Sequence, residues 1–158
     1  MLNAIKVLVI SVLLAGLPGF AQADGAHMSV SIKQGSFDDA KEAVEMAITG
    51  RGFVVNNVSR IGEMLERTGK DLGSTKQIFL NAEALEFCSA AVSRKMMEAD
   101  PDNLVFCPYI VSIYVLPEKP NEVRLAYRKI QITGSPASQK ALQAVNELLA
   151  EIVSEAMQ

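Results

Sequence analysis

Residues 109–132 read YIVSIYVLPEKPNEVRLAYRKIQI. β-Branched and aromatic residues dominate Tyr109–Leu116 and Glu122–Ile132, and Pro117-Glu118-Lys119-Pro120-Asn121 separates the two runs. Runs of this kind on either side of a short proline-containing loop predict a β-hairpin. Both strands are long and strongly apolar, so the hairpin is expected to form the middle of a sheet.

Outward from the hairpin the periodicity changes. Downstream, Ser135 is an N-cap and Pro136 a first-turn residue for a C-terminal helix that carries Leu142, Val145, Leu149, Ile152 and Ala156 on one stripe. Upstream, Asp100-Pro101-Asp102-Asn103 predicts a turn, and Ser89 to Ala99 predicts a helix with Val92 and Met96 on one side. An apolar alternation starting at Ile78 and Leu80 and running to Phe87 and Cys88 predicts a strand, although Asn81 to Leu85 equally suits a helix start. Lys70 to Thr75 reads as a loop, and Ile61, Met64, Leu65 and Thr68 as a short helix ending near Gly69. Phe53 to Val58 predicts a further strand. Ser36 with Asp39 opens a helix in which Phe37, Ala40, Val44, Ala47 and Ile48 share a face, and Gly50 and Gly52 stop it. Met28 to Lys33 alternates Val30 and Ile32 with Ser29, Ser31 and Lys33, the pattern of a half-buried strand. The expected class is α+β, with helices covering one sheet face.

The first residues carry a different message. Lys6 precedes an apolar run from Val7 to Leu17, then Pro18 and Gly19, then Ala21-Gln22-Ala23 before Asp24. This is the layout of a signal peptide, and the run is short of the roughly 20 residues that span a bilayer. Residues 1–23 are therefore expected to be a cleaved signal peptide, residues 24–158 a single domain, and the mature protein exported, periplasmic or secreted, with no membrane span. The formal net charge is −3 before Lys6 is lost. That balance opposes nucleic acid as a partner, since phosphate binding needs a basic face.

No catalytic residue is expected. The single histidine, His27, sits near the new N-terminus, where a base is hard to hold. No phosphate-cradling glycine loop and no zinc- or calcium-type ligand spacing occurs. Met46, Met64, Met96, Met97 and Met157 could join two thiols in a soft copper(I) site, but Met46 and Met96 fall on predicted core stripes. Arg128, beside Tyr127, reads as an exposed sheet charge, with anion binding in a pocket as the sharper alternative.

Two cysteines remain. Cys88 is expected at a helix start, where amide donors favour a thiolate, and Cys107 lies just before Pro108 at a strand start. Three readings stay open. In an oxidising compartment the pair suggests a disulfide, and closing a loop of about 20 residues contributes roughly 3 kcal/mol. The thiols equally suit a buried apolar role. Finally, one of them, Cys107 first and Cys88 second, could ligate haem or a soft metal.

The run Leu85-Glu86-Phe87-Cys88-Ser89-Ala90, then Glu98-Ala99-Asp100-Pro101, Asn103, Phe106-Cys107-Pro108-Tyr109 and Tyr127-Arg128, with Gly52-Phe53-Val54-Val55 before them, resembles the family called domain of unknown function 302. The resemblance implies a TATA-binding-protein-like α+β fold, an antiparallel sheet covered by helices, with homodimers and export, but no reaction. Both thiols mark a subset of the family, for which the resemblance implies a redox or sulfur-oxidation setting. The resulting expectation is a non-enzymatic periplasmic binding or accessory protein, with Cys107 and Cys88 contacting haem or a soft metal. The alternative is a structural dimeric interaction module whose cysteines form a disulfide or fill the core.

Overall fold

A computed structural model of the chain describes residues 22–24 and 27–158. Apart from Gln22 and Ala23, the expected signal peptide lies outside the described residues. The elements are β1 (Gln22–Asp24), β2 (Met28–Gln34), α1 (Phe37–Thr49), β3 (Val54–Ser59), α2 (Ile61–Asp71), β4 (Asn81–Cys88), α3 (Ala90–Ala99), a 3-10 helix (Pro101–Phe106), β5 (Tyr109–Val115), β6 (Glu122–Arg128) and α4 (Pro136–Ala156).

The strands make one antiparallel sheet in the order β1-β2-β6-β5-β4-β3, so the β5–β6 hairpin is its central pair, as predicted. Opposed residues in an antiparallel pair share a face, and that face alternates along each strand. Tyr109, Val111, Ile113 and Val115 of β5 line up with Leu85 and Phe87 of β4 and with Val123 and Leu125 of β6, and all are buried. Against them pack Ala40, Val44, Ala47 and Ile48 of α1, Met96 of α3, and Leu142, Val145, Leu149 and Ile152 of α4. Burying each large aliphatic side chain contributes about 1.5–3 kcal/mol, which makes this single layered core the main source of stability.

Three serines start three helices. Ser36 Oγ accepts from Asp39 N–H at 3.1 Å, Ser89 Oγ from Val92 N–H at 3.4 Å and Ser135 Oγ from Ser138 N–H at 3.2 Å. Each satisfies an amide that the first helical turn would otherwise leave unpaired. Gly52, at φ +76°, turns the chain from α1 into β3.

The structure corrects several local expectations. In β2 the polar residues face the helices: Ser29 and Ser31 lie opposite Tyr127 and Leu125, and Val30 and Ile32 point to the other side. On that same side Lys33 Nζ donates to the Ala156 carbonyl at 2.7 Å, placing a cation on the negative C-terminal end of α4. The alternation from Ile78 does not belong to a strand; β4 starts at Asn81, and Ile78 and Leu80 are exposed. The turn at Asp100–Asn103 opens a 3-10 helix capped by Asp100, whose Oδ1 accepts from Asp102 N–H at 3.0 Å. Met46 faces solvent, whereas Met96 is fully buried. Helix α2 buries no residue and leans on β4, with Gly62 against the backbone of Ala82.

Candidate thiol site

The β4–β5 register fixes the site. Phe87 lies opposite Tyr109, so Cys88, the last residue of β4, emerges beside the segment Cys107–Pro108 that leads into β5. Cys107 closes the 3-10 helix, its N–H donating to Leu104 O at 3.0 Å, and the Cys107–Pro108 peptide bond is cis. Two cysteines distant in sequence are thus brought together, close enough for the Cys107 side chain to act on the Cys88 thiol electrostatically.

From the helix side comes Ser93 of α3. Its Oγ is 3.3 Å from Cys107 Sγ and 3.0 Å from the Tyr109 hydroxyl, which makes a continuous chain of Tyr109, Ser93 and Cys107. Burial pushes the Tyr109 phenol up to about 12, against the pull of the Ser93 hydrogen bond. Tyr109 therefore keeps its proton across the physiological range. Ser93 is itself nearly buried, so its hydroxyl has little water to turn to.

The expectation of a helix-start thiolate at Cys88 is corrected. Ser89 occupies the cap, and Cys88 lies one residue outside it. Burial raises the Cys88 thiol above its ordinary range, and the neighbouring Cys107 charge and thiol hydrogen bond raise it further, while the Tyr109 backbone N–H opposes them. Of the three readings of the cysteines, the disulfide is not formed: both residues are free thiols, and Cys107 Sγ lies against Ser93 Oγ.

Beneath the pair the 3-10 helix is anchored by Asn103, whose Nδ2 donates to Met96 O and to Ser138 Oγ, both at 2.9 Å. One buried amide thereby ties α3 and α4 to the segment that carries Cys107. On its outer side the site adjoins a cleft of about 710 Å³ at one end of the sheet, lined by residues that include Cys107, Pro108, Ile110, Met28, His27 and Arg128. His27 and Arg128 are exposed at this cleft; the Lys129 N–H donates to the His27 carbonyl at 3.0 Å.

Sequence reasoning named both cysteines but missed Ser93, Tyr109 and Asn103. A signal existed for Ser93, which stands three residues before the fully buried Met96 and so interrupts an apolar helical stripe with a hydroxyl. As a metal site the pair offers two soft donors, and among the described residues no group of three or more histidine, cysteine or acidic side chains converges. Two thiolates alone suit a soft ion of low coordination number far better than zinc, which takes four ligands.

An antiparallel sheet with helices packed over one face defines a small α+β domain, here with a dithiol at the sheet's end. The chain belongs to the family described as Domain of unknown function DUF302, whose model matches residues 28–158. Its fold is similar to the crystal structure of an uncharacterized conserved protein DUF302 from Bacillus stearothermophilus, with a TM-score of 0.70 and 14% sequence identity, covering 85% of this chain and 100% of that one. No curated protein matches the sequence.

Proposed function

We propose that this is an exported, non-enzymatic accessory protein of a redox or sulfur-handling system, which holds a soft monovalent ion, copper(I), between Cys88 and Cys107. The observation that carries the reading is the convergence of two free thiols, 19 positions apart in sequence, at the end of a rigid sheet. Thiolates select copper(I) over harder ions, and a ligand pair set by strand register is organised before the ion arrives. Binding must displace thiol protons, and the raised Cys88 proton makes affinity climb with pH. Haem on Cys107 is less well supported, because ligation would take the sulfur away from Ser93 and Cys88.

The test is an anaerobic copper(I) titration of the reduced mature protein, followed by sulfur-to-copper charge-transfer absorption. One equivalent is expected to saturate the protein, and Cys88→Ser or Cys107→Ser to weaken uptake at least tenfold. Variants that bind as the parent does would remove the pair from the site. A Soret shift on haem addition that disappears in Cys107→Ala would replace copper with haem.

A second reading, the dimeric interaction module, is favoured by the part of the second sheet face that α2 leaves open. Met28, Arg128 and Ile110 stand in a row across β2, β6 and β5, and Met28 and Ile110 are 54% and 41% exposed. Sedimentation of the parent against Ile110→Lys tests it: a dimer converted to a monomer supports the module, and a parent monomer at all concentrations rejects it.

A further inference from the structure

We infer that Cys107 and Cys88 form an exchange-active dithiol that reduces organic disulfides, with Cys107 the attacking sulfur and Cys88 the resolving one. The roles follow from placement. Cys107 borders the cleft from which a disulfide would approach, and Cys88, outside that lining, stands at the end of β4, where the Phe87–Tyr109 register sets it beside the Cys107–Pro108 segment. Ser93, backed by Tyr109, has a hydroxyl 3.3 Å from Cys107 Sγ, where it can donate to the sulfur that carries charge. The cleft offers the apolar side chains of Met28, Ile110 and Pro108 with the Arg128 cation at hand, so the substrate class is a small disulfide with an apolar body and an acidic group.

In the first step Cys107 Sγ, as thiolate, attacks one sulfur of the substrate. A Cys107–substrate disulfide forms, the substrate S–S bond breaks, and the departing thiolate takes up the proton that Cys107 gave to solvent. Cys88 then loses its proton and attacks Cys107 Sγ, forming the Cys88–Cys107 disulfide and releasing the second substrate thiol, which takes that proton. The dithiol is oxidised by two electrons and the substrate disulfide reduced by two. This inference uses the same thiol pair as the copper reading but needs no metal. Oxidation would also remove both ligands, so the exchange would empty the copper site.

The experiment uses the reduced, metal-free mature protein under native conditions and the aromatic disulfide dithiobis(nitrobenzoate), whose released thiol is coloured and whose adduct is seen by mass. The parent is expected to release two coloured thiols per chain and retain no adduct. Cys88→Ser should release one and retain one adduct on Cys107, and Cys107→Ser should react at least tenfold more slowly. A parent that carries two adducts, or that does not react, overturns the inference, as does a Cys107→Ser variant that reacts as fast as Cys88→Ser. Because no copper is present, failure here leaves the copper titration standing, and failure of copper uptake leaves this assay unchanged.

Discussion

At Tyr109 a phenol with its pKa raised from 10.0 to about 12 sits against Ser93 and, through it, against the thiols. An acid whose pKa rises on folding binds its proton more tightly in the native state, so its contribution is complete below pH 10 and is lost as pH climbs towards 12. Urea melts of the parent should therefore weaken through that window. Tyr109→Phe, which lacks the ionisable group, should be the less stable protein at neutral pH and see the gap to the parent narrow between pH 10 and 12; a constant gap would contradict the assignment. At this scale the sequence was informative about chemistry and silent about distance. Cys88 and Cys107 were legible as the residues that matter, but their meeting depends on the Phe87–Tyr109 register, which no local pattern encodes. Cys88 also looked like a helix-start residue, and only the cap at Ser89 shows that it is not.

Among the elements, the 3-10 helix is the one the site depends on. Asn103 holds it to α3 and α4 with a side chain that is 5% exposed. Replacing Asn103 with Ala leaves the Ser138 hydroxyl and the Met96 carbonyl short of a buried donor, and is expected to cost about 1–3 kcal/mol in a denaturant melt. It should also loosen Cys107, so copper uptake should weaken even at temperatures where the variant stays folded. Lys33→Ala should cost less, about 0.3–1 kcal/mol, by removing a cation from the end of α4, and the effect should shrink with added salt. The amphipathic helices α1 and α4 were legible because their stripes and serine caps agree. Strand β2 was legible as a strand, but not its facing, because Ser29, Ser31 and Lys33 share the helix side with Tyr127 and Leu125 while Val30 is buried on the other face. The 3-10 helix was hidden under a turn signal whose capping aspartate serves both.

For the whole molecule, the hairpin at residues 109–132 decided the architecture, since it fixes the sheet centre and leaves one face for α1, α3 and α4. Ile113 lies at that centre with no exposed surface, and Ile113→Ala is expected to lose about 2–5 kcal/mol in thermal or denaturant unfolding. A loss below 1 kcal/mol would mean that the core is not the continuous layer described. What one sequence could not convey is how the fold brings its functional groups together at the sheet's end: a thiol from β4, a thiol after the 3-10 helix, a hydroxyl from α3 and a phenol from β5. The central claim is that these four elements make a two-sulfur ligand set for copper(I). It is tested most directly by X-ray absorption at the copper edge on the copper(I)-loaded, reduced protein. The account predicts a first shell of two sulfur scatterers that is lost in Cys88→Ser; a shell of nitrogen or oxygen atoms, or one unchanged by that substitution, would contradict it.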